Sequence, residues 1–322
     1  YDTERWKLAA DAAEDVLIWA STKGNIQLIN TGKPFEDYGV AVSQQDNQEI
    51  ILACKGNTGE DGFYQYYLPK LGLSGGWQEN HSILFNILPY FYKADGSDQT
   101  WDEKIGETYL FSEYTRKMNE LEPRFKQMAW VFGQSAYNNT SVAKFRWNYN
   151  ALNKDTKGVC RLVKFLYRYQ NEIYKDWTIF RLAEFYLNYA EALNEYSAND
   201  KRVYDALNTI RQRAGLPAIS NTDPRYNTQS TLRELIRRER AIELFAEDHR
   251  PNDIRRWKLP LKDQFWGGPV YGFKFELNAA KNNYVSYNLY KIENRFWSEN
   301  MYLYYIPQIE VNRGIIKQNP GY

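Results

Sequence analysis

Two glutamates four residues apart are the first candidates for chemistry. Glu239 and Glu243 lie in a run from Thr231 to Asp248 in which Leu232, Leu235, Ile236, Ile242 and Ala246 share one face of a helix. Both glutamates fall in the middle of that face. Carboxylates at i and i+4 stand about 5–6 Å apart, near the spacing of acid and nucleophile in a retaining glycosidase. The competing reading is structural. Carboxylates on an apolar face need cations once buried, and arginine forks supply them bidentately. Arg237, Arg238, Arg240, Arg250, Arg255 and Arg256 crowd the same stretch, and Arg211 and Arg213 end the preceding helix. A packed helix seam is also closed to a sugar. The structural reading outweighs the catalytic one, and it assigns ion pairs to Glu239, Glu243, Arg211, Arg213, Arg255 and Arg256.

Aromatic residues are the second signal. Ten fall between Phe63 and Trp101, several of them in glycine-rich or polar loops. A sugar ring has an apolar C–H face and a rim of hydroxyls. A flat Trp or Tyr covers the face, and neighbouring amides and charges bond the rim. Trp77 follows Gly75 and Gly76, so its backbone is free to turn the indole outward, and Gln78, Asn80 and His81 stand beside it. Tyr66, Tyr67 and Trp101 would extend the platform. For any single aromatic, a core role remains the stronger reading. Residues 265–305 hold thirteen aromatics, a denser set, so loop context rather than composition favours the first cluster.

Other chemistries lack their residues. The chain has two histidines, His81 and His249, and two cysteines, Cys54 and Cys160. Zinc sites and histidine-based catalysis are poorly supplied. No nucleophile motif, phosphate-cradling glycine loop or Cys/His metal spacing occurs. No cofactor and no metal are expected.

The elements that would position these residues are mostly helical. A first helix spans 2–20, with Trp6, Ala10, Ala13 and Leu17 on one stripe. Residues 21–48 read as loop, and 49–53 as a short strand. Residues 177–196 and 201–214 form an antiparallel helix pair, stopped by Gly215 and Pro217. A third helix covers 231–248, and 258–305 reads as irregular. The pair resembles a tetratricopeptide-type unit, without a clean 34-residue period.

Of 322 residues, 41 are Lys or Arg and 40 are Asp or Glu, a net charge of +1. That balance excludes a strongly basic nucleic-acid binder. No long uncharged apolar run offers a membrane span.

Several segments together resemble the SusD/RagB family of Bacteroidetes surface lipoproteins. They are Arg181 to Ala192, Asn208 to Leu216, Glu239 to Leu244 running on through Arg250 to Trp257, and the ending Tyr305-Ile306-Pro307 to Gln318-Asn319-Pro320-Gly321-Tyr322. Gly75-Gly76-Trp77, Tyr92 to Gly96 and Glu122-Pro123-Arg124-Phe125 match more weakly. Two departures stand out: Asp248 where the family commonly has Gly, and Pro251-Asn252 in place of an aromatic pair.

The resemblance implies a mostly α fold with tetratricopeptide-like helix pairs and long irregular loops. It implies one domain over 1–322, lacking the N-terminal part and lipidated Cys of a full-length member. It further implies a non-catalytic outer-membrane lipoprotein at the cell surface. Such a protein binds oligosaccharide or polysaccharide and hands it to a SusC-like TonB-dependent transporter. Peptide binding is the alternative within the family, and a hydrolase using Glu239 and Glu243 is the alternative outside it.

Overall fold

The computed structural model describes residues 2–55, 82–132, 158–165, 177–259, 267–280 and 283–322. Helices dominate. α1 (Thr3–Trp19) is capped by Asp2, whose carboxylate accepts from the Glu4 N–H at 3.2 Å. It buries Ala10 and Ala13 and packs along α5 (Leu182–Tyr196). α5 in turn packs against α6 (Lys201–Arg213) and α7 (Gln229–Glu243), so the helices cluster around it. The shorter helices are α2 (Pro34–Ser43), α3 (Phe111–Glu120), α4 (Pro123–Met128), α8 (His249–Trp257) and α9 (Gln308–Asn312).

Four sequence expectations need correction. The 21–48 stretch contains α2, which starts on Pro34, the residue type best suited to a first helical turn. Asp37 reaches back from that turn to accept from Thr31 N–H at 2.8 Å and Lys33 N–H at 3.0 Å. The helix expected over 177–196 begins only at Leu182. Its first five residues, Trp177–Arg181, form a strand antiparallel to Ile50–Cys54. The helix expected over 231–248 ends at Glu243, because Ala246 (φ 61°) and Asp248 (φ 63°) are left-handed. Asp tolerates that conformation better than most residues.

The fourth correction is at 258–305. Gly268–Leu277 and Tyr284–Arg295 make a long antiparallel hairpin, joined at its far edge by Thr108–Leu110. One face carries the pairs Phe273–Leu289 and Phe275–Tyr287, all buried. Phe132, Tyr114 and Phe111 pack on that face with ring centroids 4.5–6.0 Å from Phe275. A smaller sheet orders Ser82–Ile83, Cys160–Leu162 and Ala129–Trp130.

One cluster of buried apolar residues runs from Ala10 to Leu289 and joins the helices to the hairpin. Gly215 makes one of its close approaches. Its φ of 76° closes α6, and a Cβ there would meet the Pro34 ring at 2.8 Å. Cys54 is exposed and Cys160 buried, and both thiols are free.

Candidate functional site

α7 carries both glutamates into the interior, with neither side chain exposed. Arg124, fixed on the first turn of α4 by Pro123, donates through one nitrogen to both, at 3.1 Å to Glu239 Oε2 and 3.2 Å to Glu243 Oε2. Arg211 Nη1 donates to Glu239 Oε1 at 2.5 Å. Arg181 Nη1 donates to Glu243 Oε1 at 2.7 Å, and Arg213 Nη2 donates to the same oxygen.

The network extends further. Arg181 also reaches Glu49 at 2.8 Å and Glu247 at 2.7 Å, and Arg213 reaches Glu49 at 3.2 Å. Arg124 Nε donates to Glu122 at 2.6 Å. Lys164 donates to Glu247 and to the Phe245 carbonyl at 2.6 Å. Five cations (Arg124, Lys164, Arg181, Arg211, Arg213) therefore face five carboxylates (Glu49, Glu122, Glu239, Glu243, Glu247), and no side chain among them is more than 7% exposed. The Glu243 carbonyl, freed at the end of α7, accepts from Tyr38 OH at 3.0 Å and Arg181 Nη2 at 2.7 Å.

Electrostatics follow from this packing. Burial alone would raise the pKa of Glu243. The Arg213, Arg181 and Arg124 guanidiniums outweigh burial and hold the carboxyl far below its usual range. Glu247 is likewise pulled down to about 2 by Arg181 and Lys164 against its burial. Burial lowers Lys164 to about 8 despite Glu247. A glycosidase acid needs the opposite, a carboxyl raised to protonate a leaving oxygen. Glu243 is also closed to any sugar.

The other assigned arginines divide. Arg256 clamps Glu191 at 2.5 and 2.6 Å and meets Asp253 at 2.7 Å. Asp253 also binds Arg240 at 3.1 Å, twice. Arg255 reaches no carboxylate among the described residues. It donates to the Met301 carbonyl at 3.1 Å and lies 4.4 Å from the Tyr304 ring and 5.1 Å from the Trp297 ring. The sequence reading missed Arg181, Lys164, Glu49 and Glu247 as partners, and Arg124 entered it only through the Glu122–Phe125 segment. Their one local signal was a charged residue flanking an apolar run.

Trp77, Gln78, Asn80, His81, Tyr66 and Tyr67 lie outside the described residues. Trp101 is half-buried and packs against the core, edge-on to Phe85 at 6.0 Å, with Lys117 Nζ 5.7 Å from its ring. His249 Nε2 stands 3.7 Å from Glu184, with its pKa lowered chiefly by burial. Among the described residues no group of three or more His, Cys, Asp or Glu is placed to hold a metal. None of their helices is long and apolar enough to cross a membrane.

Solved structures share this architecture. A SusD-like protein from Bacteroides fragilis superposes with a TM-score of 0.75 at 25% identity, over 98% of this chain and 63% of its own. A SusD-like carbohydrate binding protein from the same species gives 0.67 at 20%, over 96% of this chain and 60% of its own. Surface glycan-binding protein A from Bacteroides uniformis gives 0.51 at 14%, over 99% and 57%. This chain thus spans less than two thirds of the length of these relatives. No curated protein matches it. The family model described as the SusD family matches residues 48–322. That match covers the buried network from Glu49 to Glu247 and the whole hairpin, and on it the chain belongs to the SusD family.

Proposed function

We propose that the protein is a non-catalytic glycan-binding member of its family, held at the outer-membrane surface by a lipid anchor. It passes oligosaccharide or polysaccharide to a SusC-like TonB-dependent transporter. The observation that carries this reading is the family match over 48–322. A fold neighbour described as a carbohydrate binding protein supports it. So does the burial of Glu239 and Glu243, which puts this carboxylate pair out of reach of substrate. The continuous core from Ala10 to Leu289 supports a single domain.

The ligand surface centres on Trp77, with Gln78, Asn80 and His81 as hydroxyl partners and Tyr66, Tyr67 and Trp101 as further stacking faces. The test is affinity electrophoresis of the full chain against a polysaccharide panel, with a reducing-end assay on the same mixtures. Retarded migration without new reducing ends is expected. Trp77→Ala should lose roughly 1–3 kcal/mol of binding, as for aromatic stacking of bases, and keep its Tm. Release of oligosaccharide by pure protein would overturn the reading. So would binding of peptides alone.

A further inference from the structure

A cleft opens between the loop 93–102 and α3, lined by none of the ten charged residues of the buried network. Its volume is about 620 Å³, within the roughly 300–1,000 Å³ of small-ligand sites. Ten of its eleven lining residues are charged or carry an amide or hydroxyl, the exception being Ala94, and the stems of these side chains expose carbon beside the polar atoms.

The loop is already fixed. Asp95 Oδ1 accepts from Ser97 N–H at 2.9 Å and Ser97 Oγ at 2.6 Å. Gln99 Nε2 donates to the Lys117 carbonyl at 3.2 Å and to Glu120 at 2.8 Å, which ties the loop to α3. Lys117 donates to Asp102 at 2.8 Å and to buried Glu103 at 2.9 Å. Gly96 (φ 82°) lies so close to the Pro217 ring that a Cβ would meet it at 2.8 Å. A ligand entering here orders little of the chain, so little binding energy is lost to ordering.

The charges select the ligand class. Four carboxylates (Asp95, Asp102, Glu113, Glu120) face three cations (Lys93, Arg116, Lys117). Lys117 is engaged as above, and Arg116 pairs with Glu120 at 2.7 Å. Lys93 Nζ and the Glu113 carboxylate make no hydrogen bond or ion pair among the described residues. Neighbouring donors hold Asp95, Asp102 and Glu120 below their usual pKa, so the lining stays anionic into mild acid. A polyanion meets net repulsion. No aromatic or branched aliphatic residue lines the cleft, so a large apolar peptide side chain finds no subpocket of its own. A saccharide hydroxyl both donates and accepts, so it can bond a carboxylate and an ammonium at once.

We propose that this cleft is a binding site for an uncharged oligosaccharide, with Lys93 and Glu113 as its two open polar contacts and Thr100 at its exposed wall. The proposal rests on the glycan-binding reading for its ligand class, and none of the residues lining the cleft belongs to the Trp77 set.

The test uses the full chain and neutral hexasaccharides of glucose, xylose and mannose, with oligogalacturonate and a chitosan oligomer as anionic and cationic arms. Calorimetric titration gives affinity. Acetic anhydride labelling, read by mass spectrometry, gives the reactivity of Lys93. A neutral hexasaccharide is expected to shield Lys93, and to do so at saturation in Trp77→Ala as well. Thr100→Trp, which fills the cleft from an exposed position, should weaken binding at Lys93 at least about tenfold. Glu113→Lys should let oligogalacturonate in. If a hexasaccharide binds the parent protein but leaves Lys93 reactivity unchanged, the cleft proposal falls and the glycan reading stands. If no saccharide binds the parent protein, both fall. Preference for the chitosan oligomer over every neutral sugar also overturns the proposal.

Discussion

Glu243 is the residue on which most of the interior converges. Three arginines hold its carboxylate, and its carbonyl takes a tyrosine hydroxyl and another guanidinium N–H. Removing its charge would leave five buried cations facing four carboxylates, with Glu49 the only carboxylate left to Arg213 among the described residues. Glu243→Gln should therefore cost about 3–5 kcal/mol in denaturant unfolding. A variant with unchanged stability would show that the network is not structural. The placement of Glu239 and Glu243 on an apolar face was legible from their four-residue spacing. Most of their partners were not. Arg124 is 115 positions from Glu239 and Arg181 is 62 from Glu243, and no local pattern reports so distant a neighbour.

The elements repeat that lesson at longer range. Trp177 to Phe180 reads equally as a helix start or a strand, and its pairing with Ile50–Cys54 decides the matter. The hairpin of 268–295 escaped notice for a different reason. Its alternation is broken by register shifts between Val270 and Tyr271 and between Glu276 and Leu277, which move the inward phase by one residue. The periodicity of α7 carried past its true end because Ala246 looks like a helix former. Ala246 instead sits at φ 61°, where an L-residue costs roughly 1–2 kcal/mol. Glycine there pays roughly 0.5–1 kcal/mol in entropy. Ala246→Gly should thus raise stability by up to about 1 kcal/mol, read as a higher denaturant midpoint with an unchanged slope. A clear loss of stability would contradict the assigned end of α7.

At the scale of the whole molecule, the +1 net charge hides a buried network with five charges of each sign. Its response to acid follows from the shifted carboxyls. Glu243 and Glu247 have pKa values depressed in the folded state. The stability they contribute is complete above the unfolded value, about 4.3, and is lost as pH falls toward 2. For Glu247 alone the loss is on the order of 3 kcal/mol. Glu122, raised by burial against the pull of Arg124, works the other way and offsets part of it. Tm should fall steeply between pH 5 and pH 3, and Glu247→Gln should flatten the fall. A parent protein equally stable across that range would refute the account. Fold class and family were legible at this scale because the helical segments and the Tyr305–Tyr322 ending carry them in local residue order.

The charge balance of the buried network has a consequence for synthesis. Its ten charges come from positions 49 to 247, and no shorter stretch of chain contains a neutral set with the same partners. A polypeptide emerging from N to C terminus holds Arg124 in hand long before Glu239 and Glu243 appear, and Glu49 long before Arg181 and Arg213. Until residue 247 is free of the ribosome, these side chains are better off in water than buried, since an unmatched charge in a dry core is heavily penalised. The last carboxylate to arrive, Glu247, is the residue whose arrival completes the network.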